Sequence, residues 1–190
     1  MMPPLMRHIE DHLGPILMGW SADADGQTLP FSVVLCDYAP IPGMRVLVTM
    51  GLSTHLLSTG KPGKFLRQEL VAIFREADGP RSLPGMIQQL GLEALSEGRA
   101  YALGEVIGPR GELVADSTVS AFYVALPVYL PQSFYVCRNA APNEQVVFAW
   151  LVPVTTSEAG FVRANGLAAF EDKLHRADPD LLDYKRSAIV

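Results

Sequence analysis

Residues 146–152 read Val-Val-Phe-Ala-Trp-Leu-Val, a stretch without a polar side chain. A strand with one wet face alternates apolar and polar residues. An unbroken run is too apolar to be half-exposed and belongs inside a sheet. Pro153 lacks a ladder donor and is expected to end that strand. The next residues, Thr155-Thr156-Ser157-Glu158, spell a capping box, with Thr155 at the cap and Glu158 reaching back to it. Phe161, Val162, Ala169, Phe170 and Leu174 can then line one side of a helical segment, whose apolar face needs a sheet to cover. Asn165-Gly166 interrupts the segment, because glycine takes a left-handed C-cap without steric cost. Two short helices or one broken helix is expected, followed by a turn at Asp178-Pro179.

The rest of the chain must supply the sheet. Leu5, Ile9 and Leu13 share a face of a helix over 4–13, stopped by Gly14 and Pro15. Strands are expected at 16–20, 31–38 and 45–50, with a polar loop over 21–29 and an unpairable one at Ala39-Pro40-Ile41-Pro42-Gly43. A loop rich in Ser, Thr and Gly follows over 51–63. Leu66, Leu70, Ile73 and Phe74 fit a helical stripe, while alternation from Glu69 to Arg75 also permits a strand. A firmer helix spans 83–98, with Leu83, Met86, Ile87, Leu90 and Ala94 inward and Gly98 as its stop. Residues 101–107 read as a strand or extended segment, and 119–128 and 134–138 as strands bent around Pro127 and Pro131. The sum is an α+β fold (mixed α/β): one domain over 1–190, with a mixed, largely antiparallel sheet flanked by helices.

Composition narrows the function classes. The chain has 190 residues, 49% hydrophobic and only 18% charged, with a net charge of −5. A nucleic-acid-binding surface carries a basic excess, so that class is excluded, whereas a basic protein partner suits the charge. The opening Met-Met-Pro-Pro-Leu-Met-Arg-His lacks the regions of a signal peptide, and no apolar run approaches a membrane span. A cytoplasmic protein with Cys36 and Cys137 as buried thiols is expected; a disulfide is permitted but not required.

The C-terminal third also carries a resemblance. Trp150-Leu-Val-Pro-Val-Thr with Glu158-Ala159, then Asn165-Gly with Ala169-Phe-Glu-Asp, then Asp178-Pro-Asp-Leu-Leu-Asp-Tyr with Arg186-Ser, resemble the C-terminal signature of the suppressor-of-fused domain family. Val46 to Ser53, ending Gly-Leu-Ser, resembles an upstream strand of that family. The resemblance is strongest over 46–53 and 146–187. It implies a strand, not a helix, over 66–75. It also implies a binding protein rather than an enzyme. Animal members hold Gli-type transcription factors through a short peptide, and bacterial single-domain members are regarded as immunity proteins that neutralise polymorphic toxins. This chain resembles the single-domain bacterial form.

Several constellations were weighed for chemistry. Gly51-Leu52-Ser53-Thr54-His55 places a serine at a strand exit, but His55 stands where a nucleophile elbow needs glycine. A serine hydrolase using Ser53 is the alternative to a binding role; a housekeeping interaction domain without a toxin is another. Ser58-Thr59-Gly60-Lys61 matches an acyl-transfer pattern by letters, yet Gly60 and Pro62 oppose the helix it needs. The same Gly60-Lys61 fails as a phosphate loop. His8 and His12 share a helix face without a third ligand, and Asp23-Ala24-Asp25-Gly26 opens like a calcium loop but lacks the later ligands. No catalytic, metal or cofactor residues are therefore assigned. The densest polar cluster is Asp178, Asp180, Asp183, Tyr184, Lys185 and Arg186. It is either a capped, salt-bridged helix end or a recognition edge. Asp178, Asp180, Asp183, Tyr184 and Arg186 are the partner-binding candidates.

Overall fold

A computed structural model describes residues 2–77, 79–138 and 144–190. Among them are three α-helices and nine strands: α1 (Pro4–Leu13), β1 (Ile16–Ala22), β2 (Thr28–Asp37), β3 (Met44–Met50), β4 (Leu57–Ser58), β5 (Phe65–Arg75), α2 (Leu83–Glu97), β6 (Val106–Ile107), β7 (Val119–Ala125), β8 (Val136–Arg138), β9 (Gln145–Thr155) and α3 (Thr156–Ala177). Short 3-10 turns occupy Leu52–Thr54 and Gln132–Phe134. The strands form one sheet in the order β1-β2-β3-β5-β9-β7-β6, with β4 added to β5 and β8 to β9. Only β5 and β9 pair in parallel; every other neighbouring pair is antiparallel. The mixed, largely antiparallel α+β architecture expected from the sequence is the one observed.

Alternation along the central strands divides the interior into two cores. Val46, Val48, Val71, Ile73, Phe148, Trp150 and Val152 face one side, where Ile9 and Leu13 of α1 and Ala159, Val162 and Phe170 of α3 cover them. Leu47, Leu70, Ala72, Ala149 and Leu151 face the other, under Leu83, Ile87, Leu90 and Ala94 of α2. Both faces of β5 and β9 are thus sealed by helices, which explains why their apolar runs are unbroken. It also resolves the ambiguity over 66–75. The apparent helical stripe is a by-product of needing apolar residues on both faces of a central strand.

The capping box forms as expected: the Thr155 hydroxyl accepts from the Glu158 N–H, and the Glu158 carboxylate accepts from the Thr155 N–H. Gly166, at φ 81° and ψ 172°, breaks α3 into two pieces, and the Asn165 amide closes the first piece on the Phe161 carbonyl at 3.1 Å.

The structure corrects the expectations in four places. Pro153 does not end its strand: β9 runs on to Thr155, with Pro153 opposite Phe122 of β7. A strand residue's nitrogen and carbonyl face the same side. The Pro153 carbonyl accepts from Arg186 Nη2 at 3.0 Å, so its nitrogen also faces away from β7 and no ladder bond is lost. Of the strand or extended segment expected over 101–107 only Val106–Ile107 is a strand, β7 stops at Ala125 before Pro127, and Phe134 lies in a 3-10 turn rather than in β8.

Candidate partner-binding site

The C-terminal turn begins where α3 ends, with Asp178 at the C-cap in a left-handed conformation (φ 43°). One Asp180 oxygen accepts from the Arg75 guanidinium at 2.6 and 3.2 Å, and the other accepts from the Leu182 N–H at 3.0 Å. The Asp183 carboxylate accepts from the Lys185 N–H at 2.7 Å. Burial alone would raise the Asp180 carboxyl; the Arg75 contacts outweigh it and hold the group below its ordinary range. Asp178 and Asp180 are exposed and Asp183 is half-buried.

Tyr184 and Arg186 have a different role. Tyr184 is fully buried in the α2-side core, and its carbonyl accepts from Ser117 Oγ at 2.7 Å. Arg186 turns inward and forms a two-pronged ion pair with Glu158, Nη1 to Oε1 at 2.6 Å and Nη2 to Oε2 at 2.8 Å. Glu158 is fully buried, and its carboxylate also accepts the Thr155 and Ile189 N–H groups at 2.8 and 3.1 Å. Burial would raise this carboxyl, but Arg186 and the two backbone donors hold it below its ordinary range. The candidate cluster is therefore divided. Three carboxylates remain near the surface, while Tyr184 anchors the C-terminal tail in the α2-side core, Arg186 locks it to the start of α3, and both side chains are buried.

Around Ser53 the chemistry is equally structural. The serine is buried in the 3-10 turn after β3, and its hydroxyl donates to Glu69 Oε1 at 2.6 Å. The same oxygen accepts the Gly51 and Ser53 N–H groups at 2.9 and 3.0 Å, and Glu69 Oε2 accepts from Thr49 Oγ1 at 2.5 Å. Burial pushes the Glu69 carboxyl up, and these donors only partly restrain it. His55 is exposed, and its ring meets the Thr54 hydroxyl rather than Ser53 or a carboxylate. The serine–imidazole–carboxylate relay that a hydrolase at Ser53 requires is not formed.

The histidine pair is also spoken for. His8 Nε2 meets the Phe134 carbonyl at 3.0 Å, and His12 meets the His8 carbonyl at 2.8 Å and Ser133 Oγ at 3.0 Å. Among the described residues no three His, Cys, Asp or Glu side chains gather as metal ligands. Cys36 and Cys137 are free and buried, and burial pushes the Cys36 thiol up to about 12. Asp23 folds back on the Asp25 and Gln27 N–H groups as a turn. Among the described residues no helix is long and apolar enough to cross a membrane.

Beside the C-terminal turn lies a groove of about 270 Å³ between the end of β7 and the second half of α3, with Trp150, Val152 and Leu181 in its lining. Sequence reasoning missed it, because its walls come from five separated segments. It also missed Glu69 and the interior role of Glu158; Glu69 follows Arg67 and Gln68, so nothing local marks it as an interior acid.

A model of the family described as Suppressor of fused protein (SUFU) matches residues 27–187. The chain belongs to the suppressor of fused family. The matched region begins upstream of Val46, so the family likeness takes in β2 as well as the two segments that carried the resemblance. A suppressor of fused homolog from Neisseria gonorrhoeae FA 1090 shares 22% identity at a TM-score of 0.70, covering 98% of this chain and 95% of that one. The suppressor of fused structure in the Sufu–Fu complex gives 17% identity and a TM-score of 0.70, over 98% and 93% of the two chains. Drosophila Suppressor of Fused gives 16% identity and a TM-score of 0.61; 84% of this chain aligns with 43% of that protein. At these identities the structures establish a shared fold. No curated protein matches the chain.

Proposed function

We propose that this chain is a non-catalytic, cytoplasmic protein-binding domain, comprising residues 1–190, that neutralises a basic toxin by covering the toxin's active site. The observation that carries the reading is the surface around the C-terminal turn. The exposed Asp178 and Asp180 stand on a frame fixed by the Glu158–Arg186 and Arg75–Asp180 pairs, next to an apolar groove. Fixed charge beside apolar surface is the composition of a recognition patch. The net charge of −5 favours a basic partner and steers its approach. Suppressor of fused is described in one related structure as part of a Sufu–Fu complex, which supports protein binding as the family's mode of action. The test is capture of partners on the tagged protein, followed by expression of each partner alone and together with this chain. A partner that arrests growth alone and is rescued by co-expression supports the reading. Partners that are harmless alone would make the chain a housekeeping interaction domain and overturn the toxin assignment.

A further inference from the structure

We infer that the groove between β7 and α3 is an anchor pocket for a segment of a protein partner that carries one bulky apolar side chain and a nearby Lys or Arg. Four of the eleven exposed large hydrophobic residues among the described ones converge here. Leu103, Leu126, Val128 and Leu167 are 55%, 44%, 61% and 37% exposed and all line the groove. Isolated exposed leucines need no explanation, but several converging on one concavity mark a contact site. At about 270 Å³ the groove lies at the small end of binding sites and has room for one bulky side chain.

The polar groups specify the rest of the occupant. Glu171 is the one charged residue in the lining. Its carboxylate meets the Tyr123 hydroxyl at 3.3 Å, and among the described residues it has no cationic partner. A carboxylate at the lip of an apolar groove favours a cation beside the apolar anchor. Trp150 contributes to the lining and is itself almost wholly buried, so it serves as a fixed apolar floor for the anchor. Gly104 keeps the groove closed at one side: a Cβ there would stand 3.1 Å from Leu167 Cδ2, at a backbone φ of 86°.

This inference rests on the protein-binding reading but not on the partner being a toxin, and its test needs no toxin. Random-sequence peptides displayed on phage are selected on the intact protein. The expected survivors share a bulky apolar residue with Lys or Arg a few positions away. Val128→Asp is expected to weaken a selected peptide about tenfold or more, since it places charge in the anchor site. Glu171→Lys is expected to weaken it about two- to fivefold and to restore binding when the peptide's cation is changed to Glu. Both positions are exposed, and unchanged thermal unfolding of each variant checks that the fold is intact. Selection without enrichment overturns the proposal, as does a peptide indifferent to both substitutions. Concentration-dependent self-association abolished by Val128→Asp would assign the groove to a second copy and also overturn it.

Discussion

At the scale of single residues, two buried carboxylates dominate, and they respond to pH in opposite directions. Glu158 has a folded pKa below its unfolded value of about 4.3. Its contribution to stability is present above that pH and is lost as pH falls through the folded pKa. Glu69 has a folded pKa above its unfolded value. Its contribution is present below about pH 4.3 and is lost as pH rises through the folded pKa. Urea unfolding across pH separates them: Glu69→Gln, which cannot ionise, is expected to remove the loss on the alkaline side and leave the acid loss intact. Arg186→Met leaves Glu158 buried without its cation. It is expected to cost about 3–5 kcal/mol at neutral pH in the same assay, the range for breaking a buried ion pair. A cost under about 1 kcal/mol would reduce the pair to the standing of a surface contact.

At the scale of elements, local chemistry was legible where one residue decides a conformation. The Thr155–Glu158 box, the Gly98 stop of α2 and the Gly166 break each follow from a single side chain or its absence. Pro153 misled because its effect depends on which neighbour its nitrogen faces, and on that side the pairing of β9 with β5 stops at Trp150, short of it. The 66–75 segment was undecidable from periodicity, because burial on both faces erases the period that separates strand from helix. Packing between elements was not legible either. Gly91 in α2 looks like a weak helix residue, and alanine there would gain about 1 kcal/mol on propensity alone. Yet a Cβ at Gly91 would lie 2.3 Å from Phe31 Cζ of β2. Gly91→Ala is therefore expected to destabilise by about 1–3 kcal/mol, the cost of overpacking, as read from the shift in denaturation midpoint. Stabilisation would show that Phe31 yields freely.

At the scale of the whole molecule, the sheet covered on both faces was readable from two facts, the apolar run of β9 and the amphipathic helices that need something to cover. The site was readable only in part. Asp178, Asp180 and Asp183 form one local segment, so sequence proximity placed them together. Tyr184 and Arg186 alternate with that segment but point inward, and Arg186 finds its partner 28 positions away, beyond any local pattern. The groove joins residues from position 103 to position 181 and exists only after folding. The proposed neutralisation by occlusion belongs to this scale, because it needs a whole face of the molecule to cover the partner's active site. The most direct measurement is an inhibition titration, in which the captured partner's toxic activity is followed as this protein is added. Complete loss of activity at an equimolar end point is the expected result. Activity that persists at saturating protein, with the two chains bound, would contradict neutralisation by occlusion.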